Sequence, residues 1–185
     1  MKVTPTRLKE VLLIEPQVFG DPRGFFLETF QQRRYAEAGI AVNFVQDNIS
    51  FSQRNILRGL HYQHPQDQAK LVQVLDGEVF DVAVDIRRGS PTFGQWEGVH
   101  LTSQGRNQLY IPPGFAHGFC VLSATALFMY KCSDYYAPQH EAGICWNDPA
   151  LNIQWPVDQP VLSDKDRRLP LLKDVPAQRL PAYEV

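Results

Sequence analysis

Apolar and polar positions alternate with a period of two along most of this chain, which is the signature of half-buried strands rather than helices. Lys70–Leu75 and Glu78–Ile86 are the clearest runs, and Asp76-Gly77 between them reads as the tight turn of a hairpin. Further strands are expected at Val11–Ile14, Gly24–Thr29, Val45–Ser52, Ile56–Gln63, Trp96–Leu101, Asn107–Ile111, His117–Leu122 and Ala126–Ser133. Gly20-Asp-Pro22, Gly89-Ser-Pro91 and Pro112-Pro-Gly114 punctuate them. Gln31–Ala38, closed by Gly39, is the single helical stretch. From Pro138 onward prolines recur at Pro149, Pro156, Pro160, Pro170, Pro176 and Pro181, so the tail should be turns and short helices draped over the body. This pattern predicts an all-β fold, an antiparallel sandwich or barrel, with residues 1–185 as a single domain.

Composition narrows the function classes. The 185 residues carry 18 Lys plus Arg against 20 Asp plus Glu, and that formal charge of −2 gives none of the basic field of a nucleic-acid binder. No apolar run approaches the length of a membrane span, and Met1–Arg7 lacks the core of a signal peptide. Cys120, Cys132 and Cys145 are widely spaced with no CxxC pair, which fits reduced thiols in a cytoplasmic protein.

Against that background several polar side chains sit in strand-like runs. His61 lies in Ile56–Tyr62, with Arg58 three residues before it and Lys70 nine after. A titratable imidazole between two cations suits a site that takes up a proton while holding an anionic substrate. Lys70 shares strand parity with Val72 and Val74, and Tyr130 with Phe128 and Cys132. His117 follows the rigid corner Ile111–Phe115, and a late Asp stands in Ser163-Asp-Lys-Asp166. Each has an ordinary structural explanation, such as a snorkelling lysine or a core tyrosine. Together they supply a base, an electrophile, a proton donor and an anion anchor. Arg58 and His61, three apart, would point to opposite faces of an unbroken strand, but Gly59 between them permits a bulge that re-aims the chain.

Seven segments carry a family resemblance: Arg58-Gly-Leu-His-Tyr-Gln63, Ala69-Lys-Leu-Val72, Ile111-Pro-Pro-Gly-Phe-Ala-His-Gly-Phe119, Tyr130-Lys-Cys-Ser133, Leu162-Ser-Asp-Lys-Asp166, Asp21-Pro-Arg-Gly-Phe-Phe-Leu-Glu28 and Gln46-Asp-Asn48. The chain resembles the dTDP-4-dehydrorhamnose 3,5-epimerases of the cupin superfamily, in matching order from about residue 10 to about residue 170. The resemblance implies a cupin-type jelly-roll β-sandwich with short helices and an irregular C-terminal tail, and a homodimer whose N-terminal strands cross to the partner. It implies epimerisation of dTDP-4-dehydro-6-deoxy-D-glucose at carbons 3 and 5; the residues themselves lead us to expect no metal and no other cofactor. Carried over residue by residue, His61 is the base, Tyr130 the proton donor, Lys70 the enolate stabiliser and Asp166 the partner of the His61 ring. Arg23, Phe26, Glu28, Gln46, Asn48, Arg58, His117, Glu141 and Lys165 would hold the dTDP-sugar.

Three other readings stay open on the residues alone. A metal-dependent cupin would want an HxH pair and a carboxylate, whereas His61 and His64 are three apart and Lys70 supplies a repelling cation. An epimerase restricted to one carbon, or acting on a related 4-keto sugar, would use the same set. A non-enzymatic sugar-nucleotide module would not need Tyr130 opposite His61.

Overall fold

The computed structural model describes residues 1–183. Thirteen strands follow in chain order: β1 Lys2–Pro5, β2 Leu12–Glu15, β3 Val18–Asp21, β4 Gly24–Leu27, β5 Gln46–Gln53, β6 Leu57–Gln63, β7 Lys70–Asp76, β8 Glu78–Asp85, β9 Trp96–Thr102, β10 Gln108–Ile111, β11 Phe115–Val121, β12 Thr125–Cys132 and β13 Glu141–Gly143. All pair antiparallel within the sheets. Six form one sheet in the order β1-β2-β10-β7-β12-β5, and five form a second in the order β13-β6-β11-β8-β9. The pair β3-β4 stands apart as a two-stranded ribbon. One helix, α1 Gln32–Glu37, starts where the Gln31 side chain accepts the Arg34 amide at 2.6 Å. The antiparallel sandwich expected from the alternation, in the jelly-roll form that the resemblance implies, is therefore what the chain forms.

Alternation decides which side chains meet. Val72 and Val74 from β7, Phe128 from β12, Val79 and Ala83 from β8, and Phe115, Phe119 and Val121 from β11 point inward and fuse the two sheets. The opposite parity of the five-stranded sheet (Leu60, Tyr62, Phe80, Val82, Val84 and Ala116) lies under the tail, which lays Ile144, Leu151, Ile153, Leu172 and Leu180 across it. The tail contains three short 3-10 turns at Asp166–Arg168, Leu172–Asp174 and Ala177–Arg179. It is less irregular than the prolines suggested, because Glu141–Gly143 adds a strand to the edge of β6.

The Asp76-Gly77 hairpin does not form. β7 pairs with β10 and β12, while β8 pairs with β9 and β11, so the turn carries the chain from one sheet to the other. Each strand instead finds two partners in its own sheet, and the corner is too tight for any other residue. Gly77 has φ +88°, and a Cβ there would lie 2.2 Å from the Thr125 carbonyl oxygen.

The break expected in β6 is present. His61 stands opposite His117 and Arg58 opposite Phe119, so three steps on β6 match two on β11. That extra residue is a bulge, and it turns Arg58 and His61 toward the same cleft. Gly59 sits at φ +126° with its Cα against Gly118, where a Cβ would come within 2.5 Å of the Gly118 Cα.

Candidate active site

Between the mouths of the two sheets lies a cleft with two lobes, about 310 and 240 Å³, both lined by His61, Lys70 and Tyr130. Its size suits an elongated sugar nucleotide more than a fragment. β6 brings His61 from the five-stranded sheet, while β7 and β12 bring Lys70 and Tyr130 from the six-stranded sheet. The imidazole thus faces the phenol and the ammonium across the interior of the sandwich.

The tail completes the His61 wall. Asp166, 3% exposed, sits with Oδ1 2.5 Å from His61 Nε2, across 105 residues of sequence. The turn that carries it is capped by Ser163, whose Oγ accepts the Asp166 amide at 3.1 Å. Burial alone would oppose ionisation of Asp166, but the bond to His61, reinforced by Ser163 and Lys165, holds its carboxyl below the usual range. An ionised Asp166 accepts the Nε2 hydrogen, so the Nδ1 lone pair of a neutral His61 is left as the basic atom. The rival Asp164 is exposed and engages only through its backbone carbonyl, which accepts Arg168 Nε at 2.9 Å.

Opposite, burial pushes the Lys70 ammonium down, with Cys132, Asp81 and Glu141 pulling it partly back. Burial likewise pushes the Tyr130 phenol up, with Arg58 the countervailing charge, so it stays protonated near neutral pH. A protonated phenol across from an imidazole is the arrangement for removing a proton on one face and delivering one on the other.

The remaining candidates divide into those the chain gathers and those it does not. Gln46 and Asn48 on β5, with Glu141 on β13, line the first lobe; Arg58, His117 and Lys165 line the second. Arg58 is steadied by Ser52, whose Oγ accepts Nε at 3.0 Å. His117, buried, has Nε2 2.9 Å from the carboxylate of Asp81, itself wholly enclosed. Burial pushes the His117 ring down and Asp81 draws it back up. Glu141 accepts from Lys165 Nζ at 2.5 Å and from the Tyr136 hydroxyl at 2.8 Å. Burial opposes ionisation of Glu141, yet those two donors hold its carboxyl below the usual range. Arg23, Phe26 and Glu28 are not in this cleft. Arg23 pairs with Asp21 on the β3-β4 ribbon, Phe26 is 69% exposed there, and Glu28 pairs with Arg34 of α1. All three precede β5 by 18 residues or more, with α1 between.

The sequence reading passed over Ser50, Asp81, Gln63, Gln68 and Tyr136. Parity held a signal for two of them: Ser50 shares the inward face with Gln46 and Asn48, and Asp81 the inward face with Val79 and Ala83. Among the described residues no cluster of three or more His, Cys, Asp or Glu side chains is disposed to hold a metal, and no helix is long and apolar enough to cross a membrane.

Comparison with known proteins identifies a family for the chain. The family described as dTDP-4-dehydrorhamnose 3,5-epimerase matches residues 5–174. The dTDP-4-dehydrorhamnose 3,5-epimerase of Pseudomonas aeruginosa is 59% identical over 170 residues, covering 91% of this chain and 94% of that protein. Its counterpart from Escherichia coli is 52% identical over 172 residues, covering 91% and 93%. Among solved structures, a dTDP-6-deoxy-D-glucose-3,5-epimerase from Legionella pneumophila in complex with dTDP-4-keto-L-rhamnose superimposes with a TM-score of 0.98 at 56% identity, covering 100% of this chain and 99% of that one. A 3'-monoepimerase from Streptomyces bikiniensis with bound dTDP-quinovose gives 0.89 at 36% identity, covering 97% and 92%.

Proposed function

The chain belongs to the dTDP-4-dehydrorhamnose 3,5-epimerase family, and on that premise we propose how its own side chains perform the reaction. The activity is 3,5-epimerisation of dTDP-4-dehydro-6-deoxy-D-glucose to dTDP-4-dehydro-L-rhamnose, a step of dTDP-rhamnose biosynthesis. The 4-keto group acidifies the hydrogens on both neighbouring carbons, so each inversion is a proton removed from one face and a proton returned on the other. His61 Nδ1 takes the C–H proton, and the bonding pair moves into an enolate. Asp166 stabilises the imidazolium that results. The Lys70 ammonium meets the charge developing on the enolate oxygen. Tyr130 then delivers its phenolic proton to the opposite face of the same carbon. Repeating the cycle at the second carbon requires His61 to shed its proton and Tyr130 to regain one.

The observation that carries this reading is His61 on one sheet, paired with Asp166 from the tail, facing Tyr130 and Lys70 on the other sheet around one cleft. Turnover of the 4-keto sugar nucleotide in deuterated water tests it. Two solvent deuterons per product are expected; one would mean a single-carbon epimerase, and none would remove the enolate mechanism.

The functional unit is a homodimer. β5 is an edge strand whose outer face exposes Ile49 and Phe51, and the β3-β4 ribbon exposes Phe19, Phe25 and Phe26. Apolar surface of that extent supports burial against a second copy. The same arrangement would deliver Arg23, Phe26 and Glu28 to the partner's cleft, where Arg23 could match a pyrophosphate. The cytoplasm is the compartment that suits its three free cysteines, two of them buried.

A further inference from the structure

We propose that Ser50 is a specificity-determining residue, its hydroxyl binding a ring hydroxyl of the sugar nucleotide. The inference rests on the epimerase reading of the cleft and adds a contact to it. Four side chains of β5 face inward: Gln46, Asn48, Ser50 and Ser52. Three are engaged within the chain. Gln46 donates to Asn48 at 3.0 Å and accepts the Tyr136 amide at 2.9 Å, Asn48 reaches the Cys132 sulfur, and Ser52 accepts from Arg58. The Ser50 Oγ is buried and has no hydrogen-bond partner in the protein.

A buried hydroxyl without a partner is costly and uncommon in a folded chain. Here it lines the second lobe, beside His61, Lys70 and Tyr130. Across the strand pair it stands directly opposite Phe128, which stacks on Phe119 with ring centroids 4.1 Å apart. Those rings offer an apolar wall that fits the face and methyl group of a 6-deoxy sugar, and they offer no acceptor or donor. A group entering the lobe far enough to meet the base and the phenol therefore passes Ser50, which supplies the polar contact that the phenylalanines lack. A site built to bond a substrate hydroxyl discriminates against the analogue without it, because the protein group is then left unpaired. Arg58 and Lys165 also line this lobe, so a phosphate oxygen is the other substrate atom within the chemistry of a serine, and the test separates the two.

Ser50→Ala and wild type are compared by solvent deuterium exchange at carbon 5, using the parent 4-keto-6-deoxy sugar nucleotide and its 2-deoxy and 3-deoxy analogues. With the parent, kcat/KM should fall on the order of tenfold in the variant, the size of one lost neutral hydrogen bond. With one of the two analogues, variant and wild type should be equal. The variant's affinity for dTDP alone should match wild type, and its Tm should be unchanged or higher. Equal turnover of the parent by both proteins overturns the proposal and leaves the epimerase reading standing. Weakened dTDP binding would overturn it by moving the contact to the pyrophosphate, and a Tm lowered by several degrees would overturn it by showing a bond inside the protein. Absence of exchange in the wild type itself would instead remove the epimerase reading.

Discussion

Asp166 and Lys70 show how differently two charges can be held in one cleft. Asp166 is ionised because His61 donates to it, and its folded pKa is lowered. A lowered carboxyl stabilises the fold above its unfolded pKa and loses that contribution as pH falls through the folded value. Asp166→Asn should therefore flatten the acid limb of the stability profile followed by circular dichroism, and cut kcat by about 10²–10⁴, the range for a disabled general base. Asp164→Asn, on an exposed carboxylate, should change neither by more than about twofold. Lys70 lies in the opposite situation, with its ammonium disfavoured by burial and in no ion pair among the described residues. That penalty is present below its folded pKa and relieved as pH rises past the unfolded one. Lys70→Met should abolish most activity and yet raise Tm at pH 7, by about 2–4 °C for each kcal/mol recovered; a lowered Tm would show that the charge is better solvated than its burial suggests. His61, Lys70 and Tyr130 could be picked from the sequence because each breaks the apolar parity of its strand. Asp166 needed the family pattern, since nothing local distinguishes it from Asp164 until the tail is folded.

Among the elements, the strands were legible and their partners were not. Ten expected runs correspond to strands within one or two residues at most ends. The missed strands, β1, β3 and β13, are three or four residues long. The Asp76-Gly77 reading failed for another reason: a turn dipeptide specifies a reversal, and only the other strands decide which sheet each arm joins. The bulge in β6 is where local sequence and site geometry meet most tightly. Gly59→Ala would place a Cβ against Gly118 in a backbone conformation that already disfavours side chains. It should cost on the order of 3 kcal/mol or more in urea unfolding. Gly89→Ala, at φ +84° but with open space around it, should cost about 1–2 kcal/mol. Equal losses at the two sites would mean that the close approach of β6 and β11 matters less than backbone conformation.

On the scale of the whole molecule, one chain builds the proton-transfer cleft but leaves Arg23, Phe26 and Glu28 outside it. If they serve the partner, mixing Arg23→Ala chains with His61→Ala chains should restore part of the activity. Each hybrid holds one doubly damaged site and one intact site. Heterodimers shown to form without any recovery would sink the sharing. The pairing of His61 with Asp166 has a consequence in time as well. Synthesis at about 5–20 residues per second separates the two by roughly 5–20 s, because 105 positions lie between them. In the last part of that interval, once Cys132 has closed β12, the body of the sandwich has its imidazole without the carboxylate that orients it. A chain cut short before Asp166 would hold the sugar nucleotide poorly prepared for chemistry, so the first turnover reports that translation has passed Asp166.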